Sequence, residues 1–442
     1  MRVLSRSLNL LVEKYLPSAF LFALILTVIT VIFGMTLGGQ SLPEMAEHWY
    51  GGFWGFLEFA MQMVFVLVTG YALAKAPLVS RFLGRLAGIP KTQLAALTMT
   101  MVISAALGLV SLGLGFVAGT LVAIEVARRV KVADFRLLVA ASYTAVIATQ
   151  PVSIALTAPL LVNTPGHSLE DEIGLIPVTE TLFSPTMISV SVLGFIGVLV
   201  AFIFMAPKSD DVVPFSGTEE PEAPKQASEV QTASDRLNNS RIINYLIVIL
   251  GLVGIVTYFV TQGFNLELNI INFIFLIVGI ALHGSPEKYA RCITDGIPAA
   301  SGVVLQFPFY AGIIGMMGGA GLIVLIGEWF GSIATAATFP VLTYISAMIV
   351  NIFVPSAGGQ WQLQGPVMIE AASGLDVSAA TIVNAVSVGD MTTNLLQPFF
   401  VLPALGLSRL GLKDIWGYCM TALVVLIAVG LAIFLLVPVL GW

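Results

Sequence analysis

Long apolar runs separated by short polar stretches organise this chain. Runs at 17–37, 55–75, 134–160, 183–206, 242–262, 268–283, 300–326, 377–404 and 416–438 predict nine membrane crossings, since a bilayer core takes about 20 residues of helix. Two further apolar stretches, 91–130 and 334–372, carry a Gly- or Pro-rich break in the middle. Each fits two half-helices meeting at a tip.

The charges give the runs a sidedness. Lysine and arginine gather on the cytoplasmic side of a membrane protein. All 19 lie in the N-terminal segment or in alternate loops, among them Lys75 to Lys91, Arg128 to Arg136, Lys208 to Arg241, Lys288–Arg291 and Arg409–Lys413. The intervening loops, near 38–54, 161–182, 263–267, 327–333 and 373–376, hold none and carry acidic residues instead. The pattern closes only if 91–130 enters and leaves on the inside and 334–372 on the outside. That gives an N-terminus in and a C-terminus out. Full spans in place of hairpin arms would keep the sidedness and change only the depth. Short arms and polar or glycine tips favour hairpins.

A repeat emerges from the same runs. Ser111 and Glu125 recur as Ser356 and Glu370, with Gly113 matching Gly358, at an offset of 245. Gln150–Pro151 matches Gln397–Pro398 at 247, and Leu57-Glu58-Phe59 matches Leu305-Gln306-Phe307 at 248. The expected copies are 17–206 and 268–438, joined through 242–262, whose extra crossing inverts the second. The fold class predicted is an all-α polytopic membrane protein of two inverted repeats, with two opposed re-entrant hairpins and two broken transmembrane helices, an architecture of secondary transporters. An old duplication whose polar breaks only serve packing is the alternative. Residues 1–16 read as an amphipathic interfacial helix, and 207–241 as a flexible cytoplasmic linker.

Composition narrows the function. The chain has 442 residues, 57% apolar and 10% charged, with net charge −6, where soluble domains carry about 25% charged residues. A soluble enzyme and a nucleic-acid binder are excluded. Two cysteines and three histidines suggest neither a disulfide framework nor a metal cluster. No HExxH, Walker or GxSxG motif is present.

Two clusters carry candidate chemistry. Around the second hairpin tip stand Asn351, Ser356, Gly358, Gly359, Gln360, Trp361 and Gln364. An unwound turn at membrane depth must line protein or a cavity. The helix that follows presents free N–H groups to an anion, and glycines let a carboxylate approach closely. Trp361 can wall an apolar tail. Ser111, Gly113, Gln150 and Gln397 are the remaining candidates for substrate contact. The second cluster is Asp390, Thr392, Thr393 and Asn394 within 377–404. Asp390 lies thirteen residues past the start of that run, about 20 Å deep, where a carboxylate is costly and functional by default. With the hydroxyls and carbonyls freed by Pro398 it can hold a Na⁺, at Asp390, Thr393 and Asn394; alone, it can carry a proton. Packing roles are the alternative for both clusters. Beyond the ends of the runs no lysine or arginine lies in any span, which suits one carboxylate better than two or three.

The run Val354-Pro355-Ser356-Ala357-Gly358-Gly359-Gln360-Trp361 with Gln364-Gly365-Pro366, the set Gly389-Asp390, Thr393-Asn394, Gln397-Pro398-Phe399, and Gln306 to Gly312 resemble the bacterial short-chain fatty acid transporter family, within the ion-transporter superfamily. The resemblance covers nearly the whole chain. It implies uptake of small monocarboxylates such as acetoacetate or butyrate across the inner membrane, by a homodimer whose hairpins and broken helices move elevator-fashion. The expected activity is H⁺- or Na⁺-coupled symport, with no catalytic residue and no cofactor besides Na⁺. A Na⁺/H⁺ or dicarboxylate carrier, an intramembrane lipid-modifying enzyme and a membrane scaffold or sensor are the competing readings.

Overall fold

The computed structural model describes residues 19–207, 212–215, 232–352, 354, 356–396 and 401–442, and all regular structure among them is helical. The first half comprises α1 (Ala19–Thr36), α2 (Leu42–Phe53), α3 (Leu57–Lys75), α4 (Pro77–Leu86), α5 (Gln93–Val110), α6 (Leu112–Arg129), α7 (Phe135–Thr149), the short α8 (Thr157–Val162) and α9 (Glu170–Ile173), and α10 (Pro185–Met205). A short α11 (Ala233–Asn238) and α12 (Arg241–Gln262) lead into the second half. This comprises α13 (Leu268–His283), α14 (Pro286–Gly296), α15 (Ser301–Gly319), α16 (Leu322–Ile333), α17 (Phe339–Asn351), α18 (Ala357–Ala371), α19 (Ala379–Thr393), α20 (Leu402–Ser408) and α21 (Leu412–Leu440). Seven helical segments among the described residues are long and apolar enough to cross a membrane, so the chain is a multi-pass membrane protein.

Helix starts follow local chemistry. Thr92, Asp134, Ser184, Ser240, Ser285, Ser356 and Ser378 each accept a bond from the backbone N–H three residues on, each cap contributing about 1 kcal/mol. Proline opens α4, α10, α14 and α17, where its missing N–H costs nothing.

Helices α5 and α6 meet at one residue. Ser111 donates its N–H to Leu107 and accepts from Gly115, so it ends one helix and begins the next. They run antiparallel, Gly115 against Gly108 and Gly119 against Ser104. Each is 18 residues long, about 27 Å, so these arms are not short, and length does not distinguish them from spans. Helices α7 and α19 are the most enclosed, with all but Arg136 and Ala379 buried. Helix α19 lies on α17 through Gly389, where a Cβ would come within 2.5 Å of Ala347 Cβ and 2.6 Å of the Tyr344 carbonyl.

Outside this centre α3 and α15 run antiparallel. Gly296, just before α15, packs on Tyr71, Phe307 stacks on Phe59 at 5.5 Å, and Gly315 meets Gly52. Helix α1 packs on α15 and α13 on α3; α2 packs on α15 and α14 on α3. Three segments read as loop or span differ from the sequence expectation. Helix α2 fills most of the loop 38–54. The run 300–326 stops at Gly319, because Gly321 turns with φ +69°. Helix α16 takes up its end and the loop 327–333. The 1–16 helix and most of the linker lie outside the described residues. The linker piece 212–215 returns to α7: Phe135 N–H donates to Val213 at 2.9 Å, and Val213 N–H to Asp134 Oδ2 at 2.9 Å.

The α17–α19 contact allows no added carbon at Gly389, whereas Gly417 faces open space. Gly389→Ala should cost about 1–3 kcal/mol and lower the melting temperature of the detergent-purified protein by several degrees. Gly417→Ala should leave it unchanged or slightly raised.

Candidate functional site

The two helix interruptions and the second hairpin turn come together. After α7 a 3-10 turn, Gln150–Val152, breaks the helix before α8. Helix α19 packs on that turn, and α18 and α19 both pack on α8. Tyr143 of α7 donates its hydroxyl to the Asn394 carbonyl at 2.8 Å, just past the end of α19. The carbonyls that end α5 are met from the same break. Ser153 Oγ donates to Gly108 at 2.8 Å and Ile154 N–H to Leu109 at 2.9 Å. Backbone groups at a break in low dielectric need such partners.

Asn351 is the knot of the second half. Its Nδ2 lies 2.6 Å from the Asp390 carbonyl, 3.0 Å from Thr393 Oγ1 and 2.8 Å from Asn394 Oδ1. Three oxygens from the end of α19 thus converge on one amide nitrogen from α17. Thr393 Oγ1 in turn lies 3.2 Å from the Met348 carbonyl. The Asp390 carboxyl is not part of this knot. It is 1% exposed, and neither oxygen has a partner in good hydrogen-bond geometry among the described residues, the Asn394 side chain being its polar neighbour. Thr392 stands apart from the other three. Its Oγ1 bonds the Val388 carbonyl at 2.7 Å and lies 3.3 Å from the Tyr344 hydroxyl.

At the second hairpin, Ser356 caps α18 through the Gly359 N–H at 3.3 Å. A Cβ on Gly358 would strike the Phe59 ring and lie 3.2 Å from Thr157 Oγ1. Thr157 is 4% exposed, and its hydroxyl has no partner among the described residues. Gly359 faces the Phe307 ring. The glutamines are engaged elsewhere. Gln360 Nε2 donates to the Ala347 carbonyl and to Gln364 Oε1, both at 2.9 Å, and Gln364 Nε2 to Ser346 Oγ at 2.8 Å. Their N–H groups hold α18 to α17. Buried Trp361 packs back over Gly365.

Ser111 and Gly113, at the first hairpin, rest on α3 at Gly70 and Leu67 rather than at this centre. Gln150 is buried in the break, its Oε1 without a partner among the described residues. Gln397 lies outside the described residues. A cleft of about 220 Å³ lies beside the start of α3, bordered by Glu58, Phe59, Gln62, His167, Ser168 and Gln362. A larger one of about 560 Å³, beside Arg128 and Arg409, is lined by none of the candidate residues. Among the described residues no three His, Cys, Asp or Glu side chains group as a metal site. The sequence reading missed Thr157, Phe59, Phe307 and Tyr344. Thr157 carries no local signal, whereas Phe59 and Phe307 stand out only as a matched pair of the repeat. Asn351 was legible as a polar residue, its partners were not.

Broken helices around a buried polar centre, in a helical body with spans on its flanks, define a membrane-transporter fold. The whole fold resembles the YdaH transporter of Alcanivorax borkumensis, with a TM-score of 0.65, 16% identity, and coverage of 96% of this chain and 99% of that one. Within this class the sequence is more specific. The short chain fatty acid transporter family profile matches residues 1–437. A protein of Escherichia coli K12, provisionally named a short-chain fatty acid transporter, is 39% identical over 439 residues, 98% of this chain and 99% of its own. One of Haemophilus influenzae Rd with the same name is 38% identical over 430 residues, 95% of this chain and 96% of its own. The chain belongs to the short-chain fatty acid transporter family.

The knot and the lone carboxyl predict opposite responses. Asn351→Ala leaves buried oxygens without donors, a loss of about 1–3 kcal/mol, and should lower the melting temperature clearly. Asp390→Asn removes an unpaired buried carboxyl and should leave it unchanged or higher. Equal losses in a thermal-shift assay would show that Asp390 has a partner.

Proposed function

We propose that the chain is a cation-coupled carrier that takes up short monocarboxylates, such as acetoacetate or butyrate, across the bacterial inner membrane. The observation that carries this reading is a charge imbalance. The first turn of α18 offers the Ala357 and Gly358 N–H groups, ahead of the Gly359 N–H taken by the Ser356 cap, and a helix dipole to an anion. Thr157 adds a buried hydroxyl with no partner among the described residues. No lysine or arginine occurs between Arg291 and Arg409. A bound carboxylate and the Asp390 carboxylate would therefore place two negative charges in the buried centre without a basic side chain. Uncompensated buried charge costs many kcal/mol. A cation entering with the substrate offsets this, either a proton on Asp390 or Na⁺ beside it. Thr393 Oγ1 and Asn394 Oδ1 already receive the Asn351 amide. A Na⁺ between them therefore requires that amide to turn, whereas a proton on Asp390 requires no such change.

The architecture is read as two inverted repeats around α3 and α15. The exchange of partners supports it: α1 packs on α15 as α13 packs on α3, and α2 on α15 as α14 on α3. The hairpins α5–α6 and α17–α18, taken as re-entrant and opposed, form with α7–α8 and α19 the moving unit of an elevator. The lysine and arginine distribution supports an N-terminus in and a C-terminus out. By resemblance to its family the carrier is read as a homodimer.

Labelled butyrate uptake into proteoliposomes tests the reading. Accumulation is expected with an imposed Na⁺ gradient or with an imposed pH gradient, beyond a protein-free control. Asp390→Asn should abolish accumulation. Thr157→Val should raise the apparent KM about tenfold or more, the loss of a hydrogen bond to a charged group. No protein-dependent uptake under either gradient would overturn it.

A further inference from the structure

Resting on that two-repeat reading, we propose that Gly318 on α15 is the seat of the second hairpin tip, Ser356, in the opposite-facing state of the carrier.

Each hairpin tip begins with a serine followed two residues later by a glycine, Ser111–Gly113 and Ser356–Gly358. The first is docked on α3. Gly70 leaves room for Ser111: a Cβ there would come within 2.5 Å of its Oγ and 3.6 Å of its Cβ. Gly113 lies over Leu67 and Tyr71. The match of Leu57-Glu58-Phe59 with Leu305-Gln306-Phe307 runs on without a gap and sets Gly318 opposite Gly70. A symmetric molecule would therefore seat Ser356 on Gly318. It does not sit there. Gly318 is exposed, and among the described residues a Cβ on it would meet only Ile323 Cδ1, at 3.9 Å. The second tip rests instead on Phe59 and Phe307.

The central helices supply a ruler. Along the antiparallel α3–α15 pair and its extension into α2, contacts join Tyr71 to Gly296, Phe59 to Phe307, Gly52 to Gly315 and His48 to Gly319. Gly70 therefore stands level with the start of α15, and the stacked rings stand midway between that level and Gly318. Eleven residues separate Phe307 from Gly318, about 16 Å along a helix. One rigid shift of that size along α15 carries the second tip from the rings to Gly318. The same shift carries the first tip from Gly70 to the rings. The rings, equivalent in the two halves, then support whichever tip faces the centre. With Lys75 at the cytoplasmic end of α3, the described arrangement is the inward-displaced one. The small residue at Gly318 is what allows the outward one.

Cysteine pairs in the full-length protein in membranes, with Cys292→Ser and Cys419→Ala as background, test this. Gly70→Cys with Ser111→Cys should cross-link under mild oxidation, since a Cβ separation of 3.6 Å suits a disulfide. Gly318→Cys with Ser356→Cys should also cross-link, and more so when the first pair does less. No cross-link in the second pair, in protein of equal abundance and under oxidation that closes the first pair, would overturn the proposal. Gly318→Trp meets open space in the present arrangement, so it should leave abundance and the first cross-link intact while cutting transport at least tenfold. Wild-type transport by Gly318→Trp would equally overturn it. Both cross-links are read without substrate, so absence of butyrate transport in the wild type would count against the substrate reading alone.

Discussion

Where a helix stops away from water, its last carbonyls and first N–H groups need partners inside the protein. The rest of this structure depends on meeting that requirement at three places close together. Ser153 and Ile154 meet it for the end of α5. Tyr143 and Asn351 meet it at the end of α19. Ser356 meets it at the start of α18. Each partner comes from a different helix than the one it completes, except the Ser356 cap. The interruptions therefore hold the helices together as much as the apolar faces do.

This has a consequence for charge. Most donors and acceptors in the centre are committed to backbone and to one another, as Gln360 and Gln364 show. Beside Gln150 Oε1, Gln360 Oε1 and Ser387 Oγ, the groups left over among the described residues include three informative ones: the Asp390 carboxyl, the Thr157 hydroxyl and the first turn of α18. They are an acid without a base, a hydroxyl without a partner and a helix end with glycines. Together they favour a small anion arriving with its own counter-charge over a highly charged one, and they fit the family to which the chain belongs.

Much of the fold was legible in the sequence, for physical reasons. Apolar run lengths report bilayer thickness, and Gly and Pro report interruptions. Helices α2 and α16 escaped because a short amphipathic helix beside a span carries neither signal. The site was legible only in part. Ser356, Gly358 and Asp390 stand out by residue type in an apolar run. The engagement of Gln360 and Gln364 by α17 and the separation of Thr392 from Thr393 depend on helix faces. The approach of Thr157 and Phe59 to Gly358 depends on pairings across some 200 to 300 residues, which no local pattern encodes.

The central claim is that a helix end and a hydroxyl, without a basic side chain, recognise a carboxylate. Calorimetric titration of the purified protein with butyrate and with the neutral, equally sized butyramide tests it most directly. The account predicts saturable binding of butyrate and at least tenfold weaker binding of butyramide. Equal affinity for the two would contradict it.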